Sequence, residues 1–540
     1  MKAKYLFISI LCSVLCLSGC KDYLTEIEPG TDLLEDFYTS TEAAVQNVNA
    51  CYVPLMWEYN STYYSEWFFG DILSDDALKG GGSTTDMSDA YDFENWRTTS
   101  GNTMLLDFYR AQYQGIARCN LALKYIDGMK VGIDANFTER MKARLLGEVY
   151  YLRAYYYFRL VRVYAGVPLV TNVVDSSDEW GQPRASVNDV FEQILSDLTK
   201  AQTGLWEKSQ YDGADMGRAT KGAAQAMLMK TNLYMASPYW RGQDGTTRTG
   251  IEKSVADCYA DAKAWGDSII AGGEYDLCPN YEDNFTLVGE NGIESVFEIQ
   301  YAEVPWGDYG EGNGFTAGSF TQILVRSRSS LIGGGWGFNH PSQNLYDEFE
   351  AGDPRRDVAI LVPEDSLMET PTVEYYLGNK MLNNKYGMYR DSSVSGAGYG
   401  QWGMHASRGP LNNKQIRYAD VLLMYAEACM GQGDAGTAKT YIDEVRARVG
   451  LAPCAVADDA TLRHERRCEL AMEGHRWFDI VRWNIAYETI TAYEATESAE
   501  YQAQVKLGGG FRKGTHEILP IPYDEILLNP TKMNQNPGYN

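Results

Sequence analysis

The chain reads as a mainly α-helical protein: a tetratricopeptide-like array of helix pairs broken by a loop-rich insertion that holds short strands. Three observations predict this. Apolar residues recur at steps of three and four along much of the sequence. One stretch sets two such patterns about a Gly-rich turn. Residues 272–412 lose that period and fill with Gly, Asn, Ser and Tyr, with alternating runs such as Glu294 to Gln300 that suggest strands.

The N-terminus is a processing signal. Lys2 and Lys4 precede an apolar run from Tyr5 to Leu17, shorter than the ~20 residues of a spanning helix. It ends in Leu17-Ser18-Gly19-Cys20, the layout of a bacterial lipobox, in which Cys20 is acylated and becomes the first mature residue. Residues 1–19 are then the signal, 20–35 the lipidated Cys20 and its tether, and 36–540 a single domain. Acyl chains would anchor the protein without embedding it.

Helical patterns follow in order. Ser40 or Thr41 caps a helix to about Trp57, with Ala44, Val48 and Cys51 on one face. Residues 104–127 form the next. From Lys142 to Tyr164, Leu145, Val149, Leu152, Tyr156, Leu160 and Val163 keep the helical step until Gly166 and Pro168 stop it. Further helices are expected at 187–201, 218–236, 253–271, 415–431, 435–449 and 459–483. The pair at 415–449 carries Leu422, Tyr425, Ala426 and Cys429, a turn at Gly431, Gly433 and Asp434, then Ala438, Ile442 and Val445, as a tetratricopeptide unit does. Such a pair cannot bury its apolar face alone, so the array should span about 104–271 and 413–483.

Composition removes several function classes. With 47 basic and 73 acidic side chains the formal charge is −26, the wrong sign for a phosphate-backbone binder. Seven cysteines beyond Cys20, with no C-x-x-C pair, argue against a metal knuckle or a full disulfide framework. They are expected to be small buried hydrophobes, with one bridge left open, either Cys454 to Cys468 or Cys258 to Cys278. Aromatics reach 13%, with 39 Tyr and 12 Trp, more than a core usually needs, and surplus amphipathic rings often serve recognition surfaces.

Several segments resemble the SusD/RagB family of outer-membrane lipoproteins: the lipobox followed by Lys21-Asp-Tyr-Leu24, Leu152 to Phe158, Gly166-Val-Pro-Leu169 and Asp353-Pro-Arg-Arg356. The most specific are Arg417 to Glu427, Glu465 to Asp479, Leu519-Pro-Ile-Pro522 and Gln535-Asn-Pro-Gly-Tyr539. The resemblance implies four tetratricopeptide-like pairs in a protein displayed on the cell surface. It would sit as a lid on a SusC-like TonB-dependent transporter and capture an oligosaccharide or polysaccharide. Some relatives are thought to capture peptides instead, and a scaffold without a ligand site of its own is a third alternative.

The signature charges Arg466, Arg467, Glu469, Glu473, Arg476 and Asp479 fall at helical spacing and read as buried ion pairs. His475 has no second imidazole at ligand spacing. Tests for chemistry fail: there is no G-x-S-x-G elbow, no H-E-x-x-H (464–468 read His-Glu-Arg-Arg-Cys) and no Walker loop. Asp75 and Asp76 are adjacent acids without the spacing a glycosidase needs. No cofactor or metal is expected, and calcium lacks ligand spacing.

Sugar binding asks for flat exposed rings beside amides, carboxylates or Arg. The aromatic loop region 58–103 offers Trp67, Asp75, Asn95, Trp96 and Arg97. The insertion 272–412 offers Trp306, Tyr309, Trp336, Phe338 and Asn339. The resemblance points to the same two regions and is firmest for Trp96 and Asp75. Trp240 and Trp402 are weaker candidates, and Trp477 and Trp483 belong to the structural signature.

Overall fold

The computed structural model describes residues 37–57, 67–176, 180–242, 250–302, 318–332, 334–364, 375–389 and 409–539. Cys20, Trp306, Tyr309 and Trp402 lie outside the described residues. Before the insertion the longer helices are α1 Thr41–Tyr52, α2 Thr103–Gly128, α3 Glu139–Tyr164, α4 Val187–Gly204, α5 Lys221–Ala236 and α6 Val255–Gly272, and two further helices, Ala486–Thr496 and Ala499–Gly508, follow the array near the C-terminus. After the insertion come α8 Tyr418–Gly431, α9 Ala435–Arg448, α10 Asp459–Glu469 and α11 Arg476–Arg482; a short α7, Gln343–Glu348, lies within it. Among the described residues no helix is long and apolar enough to cross a membrane.

Each helix packs on its neighbour from α2 to α6, and α8 then packs on α6, so the array resumes across the insertion. Side-chain caps set the starts: Ser40, Asn102, Thr138, Ser186, Thr220 and Ser254 each accept from a backbone N–H in the first turn. The first helix ends at Tyr52 rather than near Trp57, because Pro54 lacks an N–H and the chain tightens into a 3₁₀ turn over Val53–Met56. Helix α3 is buried on every side from Tyr151 to Tyr164, so the other helices build around it. Its tyrosines close polar gaps: Tyr156 donates to Cys51 O (2.7 Å), Tyr164 to Leu105 O (2.6 Å) and Tyr157 to Val170 O (3.0 Å).

Two expected helices change. Residues 413–417 form a strand, since Asn413–Arg417 (β6) pairs antiparallel with Ser295–Ile299 (β2), closing the base of the insertion. The stretch 459–483 splits into α10 and α11, because Met472 and Gly474 take φ of +63° and +77°. A Cβ on Gly70 would stand 2.0 Å from the Gly474 carbonyl oxygen, so that turn is pressed directly onto the segment before β1. The other strands are β1 Ala77–Gly80, β3 Phe338–Pro341, β4 Ile360–Leu361 and β5 Leu382–Asn383, with β1 paired to β3 and β4 to β5, both antiparallel. All seven cysteines of the described residues are free thiols, six of them buried, so neither bridge left open by sequence is present.

The signature charges are paired as buried ions, but across the fold rather than along one helix. Arg417 is 1% exposed and reaches Glu473 (2.8 Å), Glu469 (2.9 Å) and Glu294. Arg355 from the insertion joins Asp353 (2.8 Å), Glu469 (3.1 Å) and Glu465; Arg448 joins Glu294 (3.0 Å) and Glu469; Lys385 joins Glu473 (2.7 Å). Arg466 pairs with Asp420 (2.9 Å) and Asp479 (3.1 Å). The C-terminal signature docks on the end of α3: Leu519 N–H donates to Val163 O (2.9 Å), and Asn536 Nδ2 donates to Tyr164 O (3.1 Å) and Leu519 O (2.7 Å).

Truncating one member of a buried ionic cluster leaves uncompensated charge. Arg417→Ala is therefore expected to cost about 3–5 kcal/mol in chemical denaturation. Lys513→Ala, which removes a solvent-exposed pair with Glu488, should cost no more than about 1 kcal/mol.

Candidate functional site

The two aromatic-rich regions meet. Strand β1 from the first pairs with β3 from the second, in the register Ala77 to Pro341, Leu78 to His340 and Gly80 to Phe338. Side chains lock the junction. Ser342 donates through Oγ to Asp75 O (2.6 Å) and through its N–H to Asp76 O (2.8 Å). Asn339 Nδ2 donates to Asp71 Oδ2 at 3.0 Å, and Gly474 N–H donates to Asp71 Oδ1 at 2.9 Å. Burial pushes the Asp71 carboxyl up to about 7 even against those two donors.

This frame buries most of the sequence-derived candidates. Trp67 is 2% exposed and stacks on Phe68 with ring centres 3.8 Å apart. Asn95 is wholly buried and donates to Tyr91 O at 3.0 Å. Trp96 is 6% exposed, at a left-handed φ of +56°, packed among Trp477, Phe511 and His516, with its Nε1–H given to Glu494 at 2.6 Å. Asp75 is buried too. Burial opposes its charge, yet Arg467 (2.9 Å) and a two-pronged Arg476 (2.8 and 2.9 Å) hold its carboxyl far below the usual range. Phe338 and Asn339 are strand residues of the buried sheet. These six face protein in this fold: the α10–α11 turn clamps the segment of Trp67 and Asp75, Trp477, Phe511 and Glu494 cover Trp96, and β1 pairs with the strand of Phe338 and Asn339. Trp240 is likewise buried.

What reaches solvent is a smaller set. Trp336 is half-buried, set edge-on against Phe320 (5.1 Å) and fixed by its N–H to Ile323 O (2.8 Å). Gly337, the next residue, lies against the Arg328 side chain. Arg328 pairs with Asp86 at 3.3 Å, and Ser83 and Thr85 stand exposed beside Asp86, 3.1 Å apart through their hydroxyls. Arg97 is exposed over the Tyr91 ring (5.7 Å). Tyr91 meets Tyr376 (6.4 Å), and Lys79 lies over both Tyr376 (4.6 Å) and Phe338 (5.5 Å), so ring and cation contacts run continuously beneath the shelf.

Lys79, Asp86 and Arg328 escaped the sequence reading. Lys79 is fully buried, and its ammonium donates to the carbonyls of Gly80 (2.8 Å), Ser83 (3.0 Å) and Asp86 (2.7 Å), tying down the 80–86 loop. Burial pulls its pKa down to about 8. The signal was present: a lone lysine heads the run Gly80-Gly81-Gly82, and a Cβ at Gly80 would stand 2.3 Å from Gly337 O.

Two measurements follow from the burial. Trp96→Ala should cost about 3–5 kcal/mol in urea unfolding, as a core truncation does. An acid whose pKa rises on folding stabilises the fold below its unfolded value of 3.8 and loses that contribution as pH climbs through about 7. Asp71→Asn should therefore flatten the part of the stability-against-pH curve that falls between those two values.

Comparison with known proteins agrees with this architecture. One family model, described as "Starch-binding associating with outer membrane", matches residues 22–233, and a second, the SusD family, matches 288–539. A SusD-like protein of Bacteroides ovatus is 27% identical over 497 residues, spanning 89% of this chain and 83% of the relative. SusD-like protein P38 of Formosa agariphila is 26% identical, spanning 89% and 91%. Among solved structures, a laminarin-binding SusD-like protein aligns at TM-score 0.74 and 27% identity over 93% of this chain and 99% of its own. A SusD homolog from Bacteroides thetaiotaomicron shares the fold at TM-score 0.76 and 20% identity, over 94% and 98%. With matches along both halves, in order, and the fold in common, the chain belongs to the SusD/RagB family.

Proposed function

We propose that this protein is a cell-surface glycan-binding lipoprotein, held to the outer membrane through acylated Cys20, that captures an oligosaccharide or polysaccharide and delivers it to a SusC-like TonB-dependent transporter. It does not alter its ligand chemically. The observation that carries the reading is Trp336: a partly exposed ring set on Phe320, one residue before Gly337, which lies against the Arg328 side chain that pairs with Asp86 in the loop carrying the exposed hydroxyls of Ser83 and Thr85. A ring offers a flat apolar face for sugar C–H groups, and the polar neighbours can fix hydroxyl orientation. The laminarin-binding relative, at 27% identity, supports a glucan as the first ligand to try. The adjacent acids Asp75 and Asp76 support binding over hydrolysis, because both are bound to Arg467 and Arg476 instead of facing an open cleft.

The test is calorimetric titration of the chain from Lys21 onward against laminarihexaose and a panel of plant, host and microbial glycans, with peptides alongside. Trp336→Ala should weaken the bound glycan at least tenfold, about 1.4 kcal/mol, with little change in melting temperature. Equal affinity in Trp336→Ala and Trp306→Ala would remove ring stacking as the basis of capture, and peptide binding alone would replace the ligand class. Cys20→Ala should shift the protein from the membrane fraction to the soluble fraction.

A further inference from the structure

His464 and Cys468 stand one turn apart on α10, at the i and i+4 positions that share a helix face. His464 Nε2 lies 3.9 Å from Cys468 Sγ and 3.5 Å from Glu350 Oε1. On the other side of the ring, Nδ1 lies 2.6 Å from Glu348 Oε1, whose partner oxygen is held by Arg467 at 3.0 Å. The ligand atoms of Glu348, His464 and Cys468 are all within 4.8 Å of one another. The sugar shelf uses none of these groups.

We propose that His464 Nε2, Cys468 Sγ and the Glu350 carboxylate form a site for a borderline-soft divalent transition ion, best matched by zinc, with water completing a four-coordinate shell. Zinc bonds run about 2.0–2.1 Å to nitrogen, about 2.3 Å to sulfur and about 2.0–2.2 Å to oxygen. Both measured separations are shorter than the sum of the two bonds each pair requires, so an ion seated on Nε2 reaches Cys468 Sγ and Glu350 pairwise, and the exposed Glu350 side chain turns toward Cys468 to complete the set. A thiol beside an imidazole selects against calcium and magnesium, which take oxygen donors. Glu348 occupies the outer position: accepting from Nδ1–H, it fixes the ring and aims Nε2 at the other two donors.

The surroundings suit the role. Cys468 is wholly buried beside Leu345, Phe349 and Ile360, while His464, Glu348 and Glu350 keep a partly open side through which an ion can enter. The cations facing the site are Arg446, Arg467 and Arg355. Arg446 holds Glu350 Oε1 (2.7 Å) but also Glu465 (2.9 Å) and Ala452 O (2.7 Å), so it stays partnered if Glu350 turns to metal. Arg467 is matched by Asp75, Asp76 and Glu348, and Arg355 by Asp353, Glu465 and Glu469. Loading releases the thiol proton to solvent, together with the Nε2 proton where the ring is an imidazolium. The ion would staple α7 and the residues after it to α10, next to the Arg417 cluster.

The chain from Lys21 onward, stripped with a chelator, is titrated with zinc chloride by calorimetry and with cobalt chloride by absorption. One equivalent should bind with a Kd below about 10 µM, raise the melting temperature and, for cobalt, produce a thiolate-to-metal charge-transfer band. Cys468→Ser should abolish that band, and His464→Gln and Glu350→Gln should each weaken zinc at least about tenfold with unchanged circular dichroism. Should Cys468→Ser not fold, His464→Gln decides, since its ring is only partly buried. Absence of stoichiometric binding, a cobalt complex without the thiolate band, or unchanged affinity in His464→Gln overturns the site, and none of these outcomes bears on glycan capture.

Discussion

The end of α10 and the turn after it present three buried carboxylates, Glu465, Glu469 and Glu473, and five cations from other parts of the chain converge on them: Arg355 and Lys385 from the insertion, Arg417 from the end of β6 and Arg446 and Arg448 from α9. Taking such charges out of water costs several kcal/mol per ion, and the cost is offset only if each finds its partners in good geometry. The cluster is therefore all-or-nothing. It forms when the helical array, the base of the insertion and the α10–α11 turn arrive together, which gives those parts one arrangement.

That constraint reaches the candidate site through the same turn. Arg467, adjacent to the cluster, and Arg476, just beyond it, hold Asp75, while the backbone of Gly474 holds Asp71 and presses on Gly70. The loop from Trp67 to Asp76 is drawn inward and fixed, and β1 follows in register with β3. A recognition surface built on such a frame keeps its geometry without a ligand, which lowers the ordering cost of binding. Trp336, Arg328 and Asp86 form the partly exposed edge of the β1–β3 junction.

The abundance of tyrosine takes on a different meaning in this setting. Long helices packed side by side leave backbone carbonyls near helix ends and bends that no helix bond satisfies. Tyr156 fills space with a ring and satisfies such a carbonyl at Cys51, Tyr157 does the same for the loop carbonyl of Val170, and Tyr164 adds a second bond to Leu105 O inside α2. Much of what composition suggests as recognition surface is thus interior, and aromatic content says little about where a ligand lies.

The 3.6-residue apolar period, the caps at Ser40, Asn102, Thr138, Ser186, Thr220 and Ser254, and the break at Pro168 are local properties, so the sequence by itself determined the long helices α2 to α6, α8 and α9 to within a few residues, whereas the stop of α1 at Pro54 and the helices Ala486–Thr496 and Ala499–Gly508 are not predicted by it. The ordered signatures from Leu152 to Tyr539 likewise made the family legible. Whether Trp96 faces solvent or core, or Asp75 a ligand or two arginines, depends on residues about 400 positions away, such as Glu494, Arg467 and Arg476. No local pattern encodes those partners. The break at Met472 and Gly474 belongs to the same class: the intervening charges keep helical spacing, and the chain turns there where tertiary packing brings Glu469 and Glu473 together onto Arg417 and presses Gly474 against Gly70. Helices follow from short-range periodicity, whereas exposure is settled by what packs on top.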